Sequence, residues 1–249
     1  MRLKYLEGAF RVVQCRGCGL VYLANPPPPE SLYREYYAPI RTQDPVLTRI
    51  NARRVALLRR IRPAGRLLDV GCGTGAFLSA AKEAGYDVMG IDIAERALGI
   101  CRERGLTVRS GTLAGETGRA ALYDIVTLWH VLEHFLDPYQ ELRRVNRLLQ
   151  PGGLCLIEVP NLAGLKFRLS RVKWRGGDHP RYHRTFFTRR TLGVALFETG
   201  FVRTRFLHPG YGNGVPARAL KTALSRLAMD SFLTCAASAG LRPQQDSRC

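Results

Sequence analysis

Leu67-Leu68-Asp69-Val70-Gly71-Cys72-Gly73-Thr74-Gly75 is the stretch on which the reading of this chain turns. Arg66 to Val70 has the length and apolar character of a buried strand and runs straight into three glycines at alternate positions. Ala76 to Ala84 then shows helical spacing, stopped by Gly85. A strand, a glycine turn and a helix in that order make the ligand-binding corner of a doubly wound sheet, where glycines let the backbone approach a ligand closely. Gly71, Gly73 and Ala76 also satisfy the dinucleotide fingerprint, which keeps an NAD-dependent oxidoreductase as a rival reading. Asp69 argues against it. A carboxylate two residues before the first glycine would repel a pyrophosphate, whereas it attracts a cofactor carrying an ammonium and a sulfonium.

Outward from the turn the pattern alternates. Tyr86 to Ile91 reads as a second strand ending at Asp92, whose carboxylate is placed to accept ribose hydroxyls; Ala94 to Glu103 reads as a helix and Leu106 to Arg109 as a weaker strand. Tyr123 to Trp129 is a strong strand. Asp137-Pro138-Tyr139-Gln140 starts a helix, with Asp137 as N-cap, Pro138 at the first helical position and Gln140 closing a capping box; it stops at Pro151-Gly152-Gly153, before a strand from Leu154 to Val159. Pro45 to Ile61 is a basic amphipathic helix with Leu47, Ile50, Val55, Leu57 and Leu58 as its apolar members. Thr191 to Thr199 reads as helix, Phe201 to Leu207 as strand, Ala217 to Met229 as a basic helix and Phe232 to Ala236 as a weak last strand. Strands alternating with helices imply an α/β domain with a parallel, doubly wound sheet.

The expected organisation is an N-terminal appendage (1–45), a catalytic domain (46–208) and a helical or extended tail (209–249). The appendage holds Cys15-Arg16-Gly17-Cys18, four prolines from Pro26 to Pro29, and Tyr33, Tyr36 and Tyr37. With 249 residues and 46% apolar content the chain can bury a sizeable core. No apolar run reaches membrane-spanning length, and the first residues lack the apolar centre of a secretory signal, so a cytoplasmic location is expected. The net charge of +18 admits a polyanion or a peripheral membrane surface as partner, but only five of the 38 basic residues are lysine, and an arginine bias alone produces such a charge.

Taken together, Leu67 to Gly75, Tyr123-Asp124-Ile125-Val126, His130-Val131-Leu132-Glu133-His134 and Leu148-Leu149-Gln150-Pro151-Gly152-Gly153 resemble, in order, the landmarks of class I S-adenosylmethionine-dependent methyltransferases. The likeness covers residues 11–207 and is closest to the branch that holds ubiquinone-biosynthesis O-methyltransferases and natural-product and sugar methyltransferases. It implies a Rossmann-like seven-stranded sheet ordered 3-2-1-4-5-7-6 with the last strand antiparallel, and S-adenosylmethionine as cofactor. By position, Asp69, Gly71, Cys72, Gly73 and Gly75 would surround its methionine and ribose, Asp92 would hold the ribose, Ile93 would lie against adenine, and Trp129 and His130 would flank it. Relatives often carry an aspartate near the adenine amine where this chain has Thr112 and Leu113.

His130, Glu133 and His134 match the spacing of one zinc-peptidase motif, but that motif lies within a helix, and here it follows a strand. The resembling ubiquinone O-methyltransferases bind a divalent metal through Glu-x-x-Glu-His at this place; His130 stands where their first glutamate does. Trp174 to Phe187 resembles a substrate-loop stretch of the same branch, and His183 matches a histidine put forward as general base in sugar C-methyltransferases, whose preceding glutamate is Tyr182 here. His183, His134 and His179 are therefore the catalytic candidates, with bracing of the loop as the alternative role. Cys15 and Cys18 resemble half of a four-cysteine zinc ribbon; a structural zinc normally takes four ligands, and no second Cys-x-x-Cys is present. The expected acceptor is a small molecule, sugar or lipid, methylated on oxygen, nitrogen or carbon. A non-catalytic binding protein of the same fold, recruited to nucleic acid or an anionic surface, is the alternative from another class. No aromatic-interleaved basic signature supports nucleic acid.

Overall fold

A computed structural model of the protein describes residues 2–7, 10–26, 44–116, 118, 120–164, 183–207 and 232–240. Two sheets organise it. The larger is built from β4 (Arg66–Val70), β5 (Asp87–Asp92), β6 (Val108–Ser110), β7 (Tyr123–Trp129), β8 (Leu149–Pro160), β10 (Phe201–Leu207) and β11 (Phe232–Ala239). Its spatial order is β6-β5-β4-β7-β8-β11-β10, which is 3-2-1-4-5-7-6 when its strands are counted along the chain. β4 to β8 pair in parallel, and β11 runs antiparallel to both β8 and β10.

The helices cover both faces because neighbouring strand residues point to opposite sides. Leu68, Val70, Val126 and Leu128 pack against α4 (Pro138–Leu148) and α5 (Arg189–Glu198). Leu67, Ile125, Leu154 and Leu156 pack on the other face with Leu58 of α1 (Pro45–Ile61), Leu78 of α2 (Ala76–Glu83) and Leu98 of α3 (Glu95–Glu103). Each fully buried leucine contributes roughly 2 kcal/mol, so the two-sided apolar alternation along β4 and β7 fixes their register.

Several local expectations change. In α1 the buried stripe is Asn51, Arg54, Val55 and Leu58, while Leu47 is exposed. Asp137 caps α4 by accepting the Gln140 amide hydrogen, but Pro151-Gly152-Gly153 is not where the helix stops. β8 already begins at Leu149, and these residues form an irregularity in its pairing with β7, with Gly152 at φ 74°. β11 lies inside the sheet although it comes from the segment expected as a tail beyond residue 208.

The smaller sheet is β1 (Arg2–Glu7), β2 (Phe10–Gln14), β3 (Val21–Leu23) and β9 (Thr185–Phe186), in that order. The N-terminal segment is thus paired to a piece of chain that leads into α5. Pro27 to Pro29, the three appendage tyrosines, the 174–182 part of the substrate-like loop including His179, and the expected 217–229 helix lie outside the described residues. Among the described residues no helix is long and apolar enough to cross a membrane.

Candidate active site

The site forms where β4, β5 and β7 end and their loops turn over the sheet edge. Gly71 and Cys72 donate their amide hydrogens to the Ile91 carbonyl at 2.8 and 3.1 Å, which ties the turn to β5. A Cβ at Gly71 (φ 68°) would strike Val131 at 2.6 Å, so close packing demands glycine there. Gly73 (φ 53°) is different: a Cβ there would meet nothing within 4 Å, so the chain approaches open space. The side chain of Cys72 turns away from that space and lies over Gly90.

Asp69 is 3% exposed and accepts a 2.6 Å hydrogen bond from the Thr127 hydroxyl. Burial pushes its carboxyl up to about 7, partly offset by Thr127 and by the positive charge of Arg54. Asp92 is also buried; its two oxygens accept from the Gly73 amide at 2.8 Å and the Ala94 amide at 2.9 Å. It therefore braces the glycine turn as well as facing the place where a ribose is expected. Ile93 next to it is 40% exposed. Of the pair after β6, Thr112 is exposed and Leu113 is buried in the core, so the Leu113 side chain does not line the site.

Behind the turn lies a charged layer that motif reading does not reveal. Arg54 stacks over the Trp129 ring, 4.5 Å from its centre, and pairs with Glu158 at 2.5 Å. Asn51 accepts from the same guanidinium at 3.1 Å, and Thr234 on β11 donates to Glu158 at 3.2 Å. The Arg54 Nε and the Trp129 Nε1, both buried, lack a hydrogen-bond acceptor. Buried donors without an acceptor are rare in folded proteins and mark this layer as a place to look for a ligand. The sequence holds a faint signal for this layer: Asn51 and Arg54 occupy the stripe of α1 that should be apolar, and Glu158 is the lone charge in Leu154 to Val159.

His130 sits at φ 58°, a left-handed conformation that costs a non-glycine residue about 1–2 kcal/mol. Its ring lies between Glu158 (3.2 Å) and Glu133 (3.4 Å). Burial opposes its proton, but the two carboxylates outweigh that and raise it to about 9, so His130 is a cation at neutral pH. Burial would likewise raise Glu158; His130 and Arg54 overcome it and hold the group at about 2.

The last cluster joins two distant segments. Glu133, His134 and His183 bring their donor atoms within 4.8 Å of one another, and the two imidazoles meet edge to face at 4.9 Å. Glu133 is 1% exposed, and the His130 ring at 3.4 Å is its ion-pair partner. Burial works to raise its carboxyl, but the surrounding imidazoles hold it below the usual range. His183 is buried, and that burial lowers it to about 4, so it is neutral across the physiological range. Cys15 and Cys18 lie apart from this site in the turn between β2 and β3; among the described residues they join no group of three metal-capable side chains.

A family model described as a methyltransferase domain matches residues 41–204. Over 95 residues (35% of this chain) the protein is 44% identical to a ubiquinone biosynthesis O-methyltransferase of Bordetella avium, and over 106 residues (39% of this chain) 39% identical to that of Methylococcus capsulatus. The matches span 39% and 45% of the length of those two relatives. Among solved structures, an S-adenosylmethionine dependent methyltransferase from Mesorhizobium loti superposes with a TM-score of 0.55 at 21% identity, covering 74% of this chain and 96% of that one. The 1,6-didemethyltoxoflavin-N1-methyltransferase of Burkholderia thailandensis, solved with S-adenosylhomocysteine, gives 0.57 at 16% identity, covering 96% of this chain and all of that one.

Proposed function

Since the chain belongs to the methyltransferase domain family, we propose that it transfers a methyl group from S-adenosylmethionine to a hydroxyl of a small-molecule acceptor. The observation that carries the reading is Asp69, a buried carboxylate at the glycine turn whose protonation burial favours until a cation arrives. When bound, the cofactor supplies a methyl on a positively charged sulfur, primed for direct displacement. Asp69 would offset its positive charge, and Arg54 with Trp129 Nε1 would receive its carboxylate. Gly73 leaves room for the cofactor backbone, Asp92 meets the ribose through a carboxylate able to accept several hydrogen bonds, and Ile93 offers adenine an apolar face. Cys72, Gly75, Thr112 and Leu113 contribute through the backbone of their turns.

Displacement at carbon needs alignment more than a protein nucleophile. The cofactor would give its methyl to the acceptor oxygen and leave with the electron pair on sulfur, as S-adenosylhomocysteine. The oxygen's proton goes to His183, which is neutral and ready to accept it. A methylated hydroxyl is a very strong acid, so a base held at about 4 is basic enough. Glu133 and His134 orient that ring and balance the charge it gains. This chemistry favours O-methylation over a non-catalytic role. A sugar or lipid bearing such a hydroxyl fits equally.

The convergence of three donor atoms within 4.8 Å supports a second reading, in which a divalent cation sits among Glu133, His134 and His183. A tetrahedral cation with ligands about 2.1 Å away needs donors roughly 3.4 Å apart, a small rotation from this arrangement. The cation would polarise an acceptor oxygen. His130, charged and paired with two carboxylates, is not one of its ligands.

Calorimetric titration tests the core of the proposal: S-adenosylmethionine and S-adenosylhomocysteine should both bind, and Arg54→Ala should weaken each about tenfold. Binding of neither ligand overturns the proposal. Turnover of a catechol, phenol and sugar panel, read as release of S-adenosylhomocysteine, should persist after dialysis against a chelator. Loss of turnover restored by zinc or manganese selects the cation reading.

A further inference from the structure

We infer that the N-terminal cysteine hairpin is a positioning arm for His183, clamping the histidine-bearing segment against the loop after β7. The inference rests on His183 as the proton acceptor. β9 is two residues long and follows His183 and Arg184 directly. So short a strand holds its geometry only through its neighbours. On one side β3 pairs with it, Val21 opposite Phe186 and Tyr22 opposite Thr185. Arg184 between them is gripped from both directions: its carbonyl accepts the Leu23 amide hydrogen at 2.9 Å, and its own amide donates to the Glu133 carbonyl at 2.8 Å. The Thr185 hydroxyl reaches the same Glu133 carbonyl at 3.4 Å. His183 is therefore suspended one residue from a two-sided main-chain clamp.

The arm is itself anchored. Val12, Val21, Leu23 and Phe186 form a separate buried cluster, with Phe10 and Leu162 against it. At the other end of the hairpin Leu20 is buried in the main core and Cys18 packs on it. The turn between is closed by protein groups: the Cys15 amide donates to the Leu20 carbonyl at 2.9 Å, the Gly19 amide to the Cys15 carbonyl at 3.2 Å, and the Gln14 side-chain amide to the Gly19 carbonyl at 3.0 Å. The half-ribbon thus works as a rigid bracket between the core and the catalytic loop.

Leu23→Pro removes the amide hydrogen that reaches Arg184, and Leu23→Val keeps it. In the full chain, turnover of the acceptor panel at saturating cofactor should fall at least tenfold in Leu23→Pro and stay at the parent rate in Leu23→Val. Cofactor affinity, measured by titration with S-adenosylhomocysteine, should stay within threefold in both variants. Parent turnover in Leu23→Pro overturns the inference, and so does loss of cofactor binding alongside the fall, which would mark general unfolding. A His183→Ala variant that still releases S-adenosylhomocysteine from the acceptor panel at the parent rate would end the proton-acceptor reading instead. An inactive His183→Ala with parent turnover in Leu23→Pro ends only the arm.

Discussion

Asp69→Asn is expected to abolish cofactor binding while making the ligand-free protein more stable above pH 7. The carboxyl rises from 3.8 to about 7 on folding because burial strips it of water. Between those values the folded state holds a proton that the unfolded state has released, so stability falls as pH rises and the full cost persists above 7. A shift of that size corresponds to roughly 4 kcal/mol. Asparagine keeps an acceptor for the Thr127 hydroxyl and never has to ionise. Its melting temperature should therefore exceed that of the parent at pH 8, and the gap should close near pH 4. Binding runs the other way. A cation draws the proton off Asp69, so parent affinity for S-adenosylmethionine should fall up to tenfold per pH unit below 7. The asparagine variant should bind at least 100-fold more weakly at pH 8, with no such slope. A flat pH dependence in the parent would show that the carboxylate does not face the cation.

His183→Ala should lower turnover by about 10²–10⁴, the usual range for a positioned proton acceptor, with cofactor affinity changed less than threefold. Because His183 is lowered to about 4 by burial, turnover at saturating cofactor should be level from pH 6 to 8 and decline only as the ring protonates towards pH 4. Cofactor affinity already weakens below 7 through Asp69, so the two profiles separate the two residues in one set of assays. Normal turnover in His183→Ala would remove it as the base and leave His134 in that role.

What the sequence exposes and what it hides follow from how each residue is selected. The strands Arg66–Val70, Tyr123–Trp129 and Phe201–Leu207 carry local signals, an apolar run bounded by turn residues, and the structure returns them at the same bounds. The glycine turn is equally legible because its spacing is a backbone requirement. Arg54 and Glu158 are hidden because their meaning is relational: each looks like an exception in its own element until the fold brings them to 2.5 Å across 104 residues. In α1 the apolar residues are easy to count, but half of the buried stripe is the polar pair Asn51 and Arg54. β11 is faint for another reason. Its residues Thr234-Cys235-Ala236-Ala237-Ser238 are small, and small side chains give little periodic contrast although most are fully buried.

That strand also sets an order for how the molecule can come into being. β11 fills the slot between β8 and β10, both of which precede it along the chain. While the chain emerges from a ribosome, β8 waits with one edge bare and β10 has no strand partner until residues near 239 have cleared the exit. An open edge of fully buried residues such as Leu156, Ile157 and Val159 is an adhesive surface for other nascent chains. Of the described strands β11 is made last and latches the sheet, and premature termination before it would leave a sticky fragment rather than a smaller enzyme.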